Sequence, residues 1–70
     1  MTPAQCRMAR AALQLGIRDL AKLAKVAAST ISRLEAGEEL QPRTVEAIQA
    51  ALERAGVEFI NGNRPGVRLK

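Results

Sequence analysis

The sequence predicts a mostly α-helical domain of four helices that ends in a short C-terminal β-hairpin. Three observations support this prediction. Apolar residues recur at helical spacing over residues 3–56, glycine and proline punctuate that stretch, and apolar and polar residues alternate from residue 57 onward. We therefore divide the chain into a helical domain, residues 1–56, and a C-terminal strand extension, residues 57–70.

The composition limits what can stabilise a chain of 70 residues, which is long enough for one small domain. A single cysteine excludes an internal disulfide, and the absence of histidine argues against zinc, so we expect no metal and no cofactor. We find neither an apolar run long enough for a membrane span nor a signal-peptide pattern, and we expect a cytoplasmic protein. The net charge of +4 favours a polyanionic partner.

The first helix begins with a predicted capping box. Thr2 is the N-cap, Pro3 takes the first helical position and Gln5 completes the box. Gly16 is expected to end this helix, because glycine commonly follows a helix C-terminus. The second helix is predicted over residues 17–25.

The third and fourth helices are separated by a polar loop. After a turn at residues 25–27, the third helix is predicted over residues 28–36, and Gly37 ends it. The fourth helix is predicted from Pro42 to Gly56. Its inward-facing positions at helical spacing are Val45, Ile48, Leu52 and Ala55.

The C-terminal extension predicts two short strands, residues 57–60 and 67–70, joined by a turn rich in glycine and asparagine. Four apolar side chains alternate along the strands: Val57, Phe59, Val67 and Leu69. Either they cap the helical core of their own chain, or a strand edge pairs with the same edge of a second chain. Because a chain with so small a core gains from association, we expect a homodimer.

The second and third predicted helices form a short helical pair. Ala21 is small where the two helices cross, Val26 fills the turn, and Ile31 and Leu34 anchor the third helix. This spacing holds the third helix with one face exposed, a shape that fits a DNA major groove.

These residues form the pattern Leu20-Ala21-x-x-Ala24-x-Val26-x-x-x-x-Ile31-x-x-Leu34-Glu35-x-Gly37. Together with the run Ser29-Thr30-Ile31-Ser32-Arg33-Leu34-Glu35-Ala36-Gly37, the pattern resembles the phage repressor/Cro-type (XRE-like) helix-turn-helix family over about residues 5–56. The resemblance implies a four-helix repressor/Cro-like domain. It also implies sequence-specific binding of double-stranded DNA by a small transcriptional regulator, with the third helix in the major groove.

One face of the third helix is expected to read bases. Helical spacing puts five residues on this face: Ala28, Ser29, Ser32, Arg33 and Ala36. The resemblance implies that Ala28, Ser29, Ser32 and Arg33 approach base edges, with Arg33 suited to guanine O6 and N7. The alternative is an ordinary solvated helix face.

Other residues are candidates for contacts with DNA phosphates, which commonly come from cations and helix N-termini. This set contains Ile17, Arg18, Lys22, Lys25, Arg43 and Thr44. Arg43 matches a basic position that reaches the DNA backbone in the family it resembles. The alternative for each cation is a solvated surface side chain.

The resemblance also implies an internal ion pair between Arg10 and Glu35. The alternative places Arg10 on a DNA phosphate. If the pair is internal, Arg10→Ala should lower stability first and DNA binding second, because removing one partner of a buried pair is costly.

The chain departs from the family pattern in and around the turn. Lys25 stands where glycine is usual, so it must adopt a strained conformation or the turn must shift. Ala27 stands where a serine or threonine usually caps the third helix, and Ile17 replaces a glutamine that commonly contacts phosphate. These departures leave few side chains to read bases: two alanines, two serines and one arginine.

We expect no enzymatic activity. The sequence has no histidine, no nucleophile beside a base and no glycine-rich phosphate loop, and Cys6 lies on the inward stripe of the first helix. The alternative function is a protein-interaction module, antitoxin-like or adaptor-like, that uses the same fold and binds DNA weakly. The departures at Lys25 and Ala27 motivate this alternative.

Overall fold

The computed structural model describes residues 1–70 and has four helices followed by a two-stranded antiparallel sheet. The elements are α1 (Pro3–Leu13), α2 (Ile17–Ala24), α3 (Ala28–Glu35), α4 (Pro42–Ala55), β1 (Val57–Ile60) and β2 (Gly66–Leu69). The predicted fold class is confirmed. No helix is both long and apolar enough to cross a bilayer.

The start of α1 is closed by the predicted capping box. The Thr2 N–H donates to Gln5 Oε1 at 2.8 Å, and the Gln5 N–H donates to Thr2 Oγ1 at 3.0 Å. Gln5 is fully buried, and its Nε2 also donates to the carbonyls of Ile60, at 2.9 Å, and Gly66, at 3.0 Å. One side chain therefore closes the first helix and fastens the hairpin to it.

The prediction that Gly16 ends the first helix was wrong. The helix ends at Leu13, and Gln14 takes the left-handed cap conformation with φ 57°. Gly16 has an extended backbone and is instead the N-cap of α2, where its N–H donates to Asp19 Oδ2 at 2.9 Å. Asp19 thus provides the reciprocal half of a capping box, whereas no side chain at Gly16 accepts from the first amides of α2.

The core lies where the four helices meet beneath the hairpin. Its buried apolar residues are Cys6, Ala9, Leu20, Ala21, Ala24, Ile31, Leu34, Ile48, Ala51, Leu52 and Val57. On α4, the inward positions predicted at Ile48 and Leu52 are buried, and Val45 packs partly buried against the core. Ala55 is exposed and Ala51 is buried in its place, because the chain reverses at Gly56 and Val57 fills the adjacent part of the core.

The hairpin packs against the helices of its own chain. β1 and β2 pair in antiparallel register, with Val57 opposite Leu69 and Phe59 opposite Val67. Val57 is fully buried, and Phe59 and Val67 pack against the core, whereas Leu69 is 58% exposed. The alternating apolar residues therefore lie on the face that packs against the helices, and their burial decreases toward the C-terminus.

Candidate nucleic-acid interface

A three-residue turn joins α2 to α3. Lys25 adopts the left-handed conformation, with φ 59° and ψ 46°, so the turn keeps its position without a glycine. The turn is closed by the Val26 N–H, which donates to the Ala21 carbonyl at 3.0 Å. Of the two outcomes expected for Lys25, the strained conformation is the one adopted.

The N-terminus of α3 has no side-chain cap. Ala27 is the N-cap, with an extended backbone and no hydrogen bond from its side chain. At the other end, Ala36 is the C-cap and Gly37 follows with φ 93°. The Glu38 N–H then donates to the Arg33 carbonyl at 3.1 Å, which folds the following loop back on the helix.

The outward face of α3 carries the residues expected to read bases. Ile31 and Leu34 are buried and hold the helix against the core, so Ser29, Ser32 and Arg33 are exposed together on its other side. The exposure of these three side chains also means that the hairpin does not cover them. Ala28 differs from the other three, since it is half-buried and packs against the core.

Arg33 has an ionic partner that the sequence analysis did not predict. Its Nε donates to Glu38 Oε1 at 3.1 Å, and both side chains are 54% exposed. Nη1 and Nη2 of Arg33 donate to no group of the chain. The only sequence signal for this pair is that an acidic residue, Glu38, directly follows Gly37, five positions after Arg33.

A groove of about 420 Å³ lies beside α3, between the helix and the loop that leads to α4. Thr30 and Arg33 line one wall, and Gln41 and Thr44 line the other. The groove therefore separates the exposed face of α3 from the N-terminus of α4, the two places where base and phosphate contacts were expected.

The residues expected at phosphates fall on two surfaces. Arg18, Lys22 and Lys25 are exposed on α2 and the turn after it. The Ile17 side chain packs against the core, but the backbone amides of Ile17 and Arg18 donate to no group of the chain and remain open at the N-terminus of α2.

The second surface is the first turn of α4. Arg43 is exposed there, and Thr44 is half-buried beside the groove. The first residue of the helix, Pro42, has no amide hydrogen to satisfy. This surface therefore offers one free cation and one hydroxyl next to α3.

Arg10 and Glu35 form an ion pair between α1 and α3. Arg10 Nε lies 2.7 Å from Glu35 Oε2, Nη2 donates to Oε1 at 2.8 Å, and Nη1 donates to the Leu15 carbonyl at 3.1 Å. The Arg7 Nη1 donates to the Glu35 carbonyl at 2.5 Å. The guanidinium of Arg10 is thus engaged on all sides within the protein.

The pair changes the titration of its members. Burial raises the pKa of the Glu35 carboxyl, but the hydrogen bonds from Arg10 and Cys6, together with the charges of Arg10 and Arg7, lower it more, so the pKa falls below its ordinary value. The bond to Glu35 raises the pKa of Arg10 against the opposing effect of burial. Burial, followed by the hydrogen bond to Glu35 and its charge, raises the pKa of the Cys6 thiol to about 12. Cys6 is therefore a buried neutral donor, at 3.3 Å from Glu35 Oε2, and not a reactive thiolate.

Comparison with known proteins gives a clear family. No curated protein matches the chain. The family model described as a helix-turn-helix domain matches residues 4–59, which covers the four helices and β1 except for Pro3 and Ile60 at the two ends. With that match and with the geometry of α2 and α3, the chain belongs to the XRE/Cro-like helix-turn-helix family.

Proposed function

We propose that this protein is a small transcriptional regulator that binds double-stranded DNA sequence-specifically through α3. The observation that carries the proposal is the joint exposure of Ser29, Ser32 and Arg33 on a helix anchored from behind by buried Ile31 and Leu34. The helix-turn-helix family is a DNA-binding family, and it is typically not enzymatic.

In this proposal the outward face of α3 reads base edges in the major groove. Arg33 binds guanine O6 and N7, since its Nη1 and Nη2 are both free to donate. Ser29 and Ser32 bond to bases as donors or acceptors, and the Ala28 methyl contacts a thymine methyl from the edge of the helix.

Contacts with phosphates position α3 and supply most of the affinity that does not depend on sequence. Arg18, Lys22 and Lys25 hold one stretch of backbone together with the free amide of Ile17. Arg43 and Thr44 hold another from the far side of the groove. The net charge of +4 supports both sets of contacts.

We also propose that the protein binds DNA as a homodimer joined at β2. The Lys70 N–H donates to the Gly56 carbonyl at 2.9 Å, so the alternation of an antiparallel ladder directs the backbone groups of Val67 and Leu69 away from β1. These groups have no partner in the chain, and Leu69 and Met8 leave apolar surface exposed. A second β2 would satisfy this edge, and the two copies of α3 would meet half-sites about 34 Å apart.

The first experiment is to select bound sequences from a random DNA pool. A palindromic consensus would support both sequence-specific DNA binding and the dimer. Each half-site should contain a guanine that Arg33 recognises. Size measurement by analytical ultracentrifugation, with and without Leu69→Glu, tests the dimer separately. A wild type that stays monomeric on a site with two half-sites would refute the β2 contact.

A pair of variants then separates base contacts from phosphate contacts. Arg33→Ala should relax preference at one base position by about 1–3 kcal/mol. Arg43→Ala should weaken binding to all sequences alike. It should also reduce the slope of log affinity against log salt concentration by about one, the amount expected for one lost phosphate contact. If Arg33→Ala leaves both affinity and preference unchanged, the orientation proposed for α3 is wrong.

The second candidate function is a protein-interaction module, antitoxin-like or adaptor-like. The uncapped start of α3 at Ala27 and the exposed Leu23 on α2, 46% accessible, favour it. Its signature is weak DNA binding without sequence preference across a range of salt concentrations. Steep salt dependence together with a preferred sequence would exclude it as the main function.

A further inference from the structure

We propose that Glu38 positions Arg33 for base reading and so raises the sequence discrimination of the protein. The proposal rests on the proposed function, because it assigns a role to a residue beside the helix that reads DNA. It identifies an acidic side chain outside the helix as part of the recognition apparatus.

Glu38 is held to Arg33 at two points. Its backbone N–H donates to the Arg33 carbonyl at 3.1 Å, and its Oε1 accepts from Arg33 Nε at 3.1 Å. Gly37 makes this return possible, because its φ of 93° lies in a region that side-chain-bearing residues rarely adopt. The backbone hydrogen bond therefore holds Glu38 beside Arg33, so the position of the carboxylate does not depend on the flexible Glu38 side chain alone.

The ion pair leaves the useful edge of Arg33 open. Glu38 engages only Nε, whereas Nη1 and Nη2 donate to no group of the chain. Two parallel donors are what guanine O6 and N7 require. Fixing the Nε side restricts the rotation of a flexible side chain, and because the guanidinium is planar, this also fixes the direction in which the two terminal amines point.

The charge of Glu38 acts in the same direction. A carboxylate beside α3 repels phosphates, so Arg33 is less readily drawn to the DNA backbone of an arbitrary sequence. Non-specific binding is weakened while the guanine contact is kept. Because both side chains are 54% exposed, the pair is screened by water and its effect is modest.

The experiment compares affinity for the selected site with affinity for the same site lacking the guanine that Arg33 reads. Glu38→Ala should lower this ratio about two- to fivefold, the range open to an exposed ion pair, and Glu38→Gln should lower it less, since its amide oxygen still accepts from Nε. The matched control is Glu39→Gln. This substitution removes the same charge from the same loop, but Glu39 forms no ion pair in the structure. It should therefore leave the ratio unchanged.

The ratio separates positioning from folding, because a loss of folded protein lowers both affinities equally and cancels. In an Arg33→Ala background, Glu38→Ala should no longer change the ratio. A ratio that depends on Arg33 but is unaltered by Glu38→Ala overturns the inference and leaves the proposed function standing. A wild type without any base preference overturns both.

Discussion

Replacing Arg10 with alanine would leave the Glu35 carboxylate without its cation at the junction of α1 and α3. The Arg10 and Glu35 side chains are only 20% and 8% exposed, and two hydrogen bonds of 2.7 and 2.8 Å join them. Removing one partner of a buried pair costs about 3–5 kcal/mol. Since Arg10 is partly accessible to water, we expect a loss near the lower end, about 3 kcal/mol.

A loss of this size is large for so small a domain, whose single core supplies on the order of 3–5 kcal/mol. Urea denaturation followed by circular dichroism should therefore show a much lower midpoint for Arg10→Ala. Arg7→Ala is the matched control on the same helix, because Arg7 hydrogen-bonds to the Glu35 carbonyl at the exposed surface and reaches the Glu35 carboxylate only through its charge. It should cost less than about 1 kcal/mol.

The opposite result would assign Arg10 to DNA. If Arg10→Ala is as stable as the wild type but binds every duplex more weakly, with a shallower dependence on salt, then Arg10 contacts a phosphate and the ion pair contributes little.

Three further predictions concern stability. The Glu35 pKa is below its ordinary 4.5 in the fold, so the stability that the pair provides is present above about pH 4.5 and is lost as the pH falls below that value. The difference in free energy of unfolding between the wild type and Arg10→Ala should shrink with acid, and a constant difference would contradict this. Ala27→Ser should add the missing cap of α3 and stabilise the protein by about 1 kcal/mol, seen as a higher melting temperature, unless the serine hydroxyl fails to reach the helix amides. Lys25→Gly should relieve the left-handed conformation and stabilise by about 0.5–1 kcal/mol in urea, whereas a lower midpoint would mean that the Lys25 stem supports the turn.

The helices and the hairpin could be predicted because local patterns determine them. Proline at the start of α1 and α4, glycine after α3 and α4, and alternation after residue 57 are all signals within a few residues of the element they set. The end of α1 was missed because Gln14 takes the left-handed conformation without a local sequence signal. Gly16, which is typical of a helix C-terminus, instead begins α2 as its N-cap.

The unpredicted parts involve residues far apart or positions that depend on packing. Gln5 bonds to Ile60 and Gly66, which lie 55 and 61 residues away, and no periodicity reports such a contact. Burial of Ala51 in place of Ala55 depends on where the hairpin returns to the core. The face of α3 was predicted from geometry, whereas the ion pair between Arg33 and Glu38 depends on a loop conformation.

The double use of Gln5 has a consequence for how the domain opens. Its side chain joins the first turn of the chain to a hairpin formed by the last residues, so neither end can detach without exposing polar groups of the other. Amide hydrogens of the hairpin and of the first helical turn should therefore exchange with solvent at similar rates, as one cooperative unit. Removing the residues before Pro3 would accordingly loosen the loop end of the hairpin, which Gln5 holds through Ile60 and Gly66.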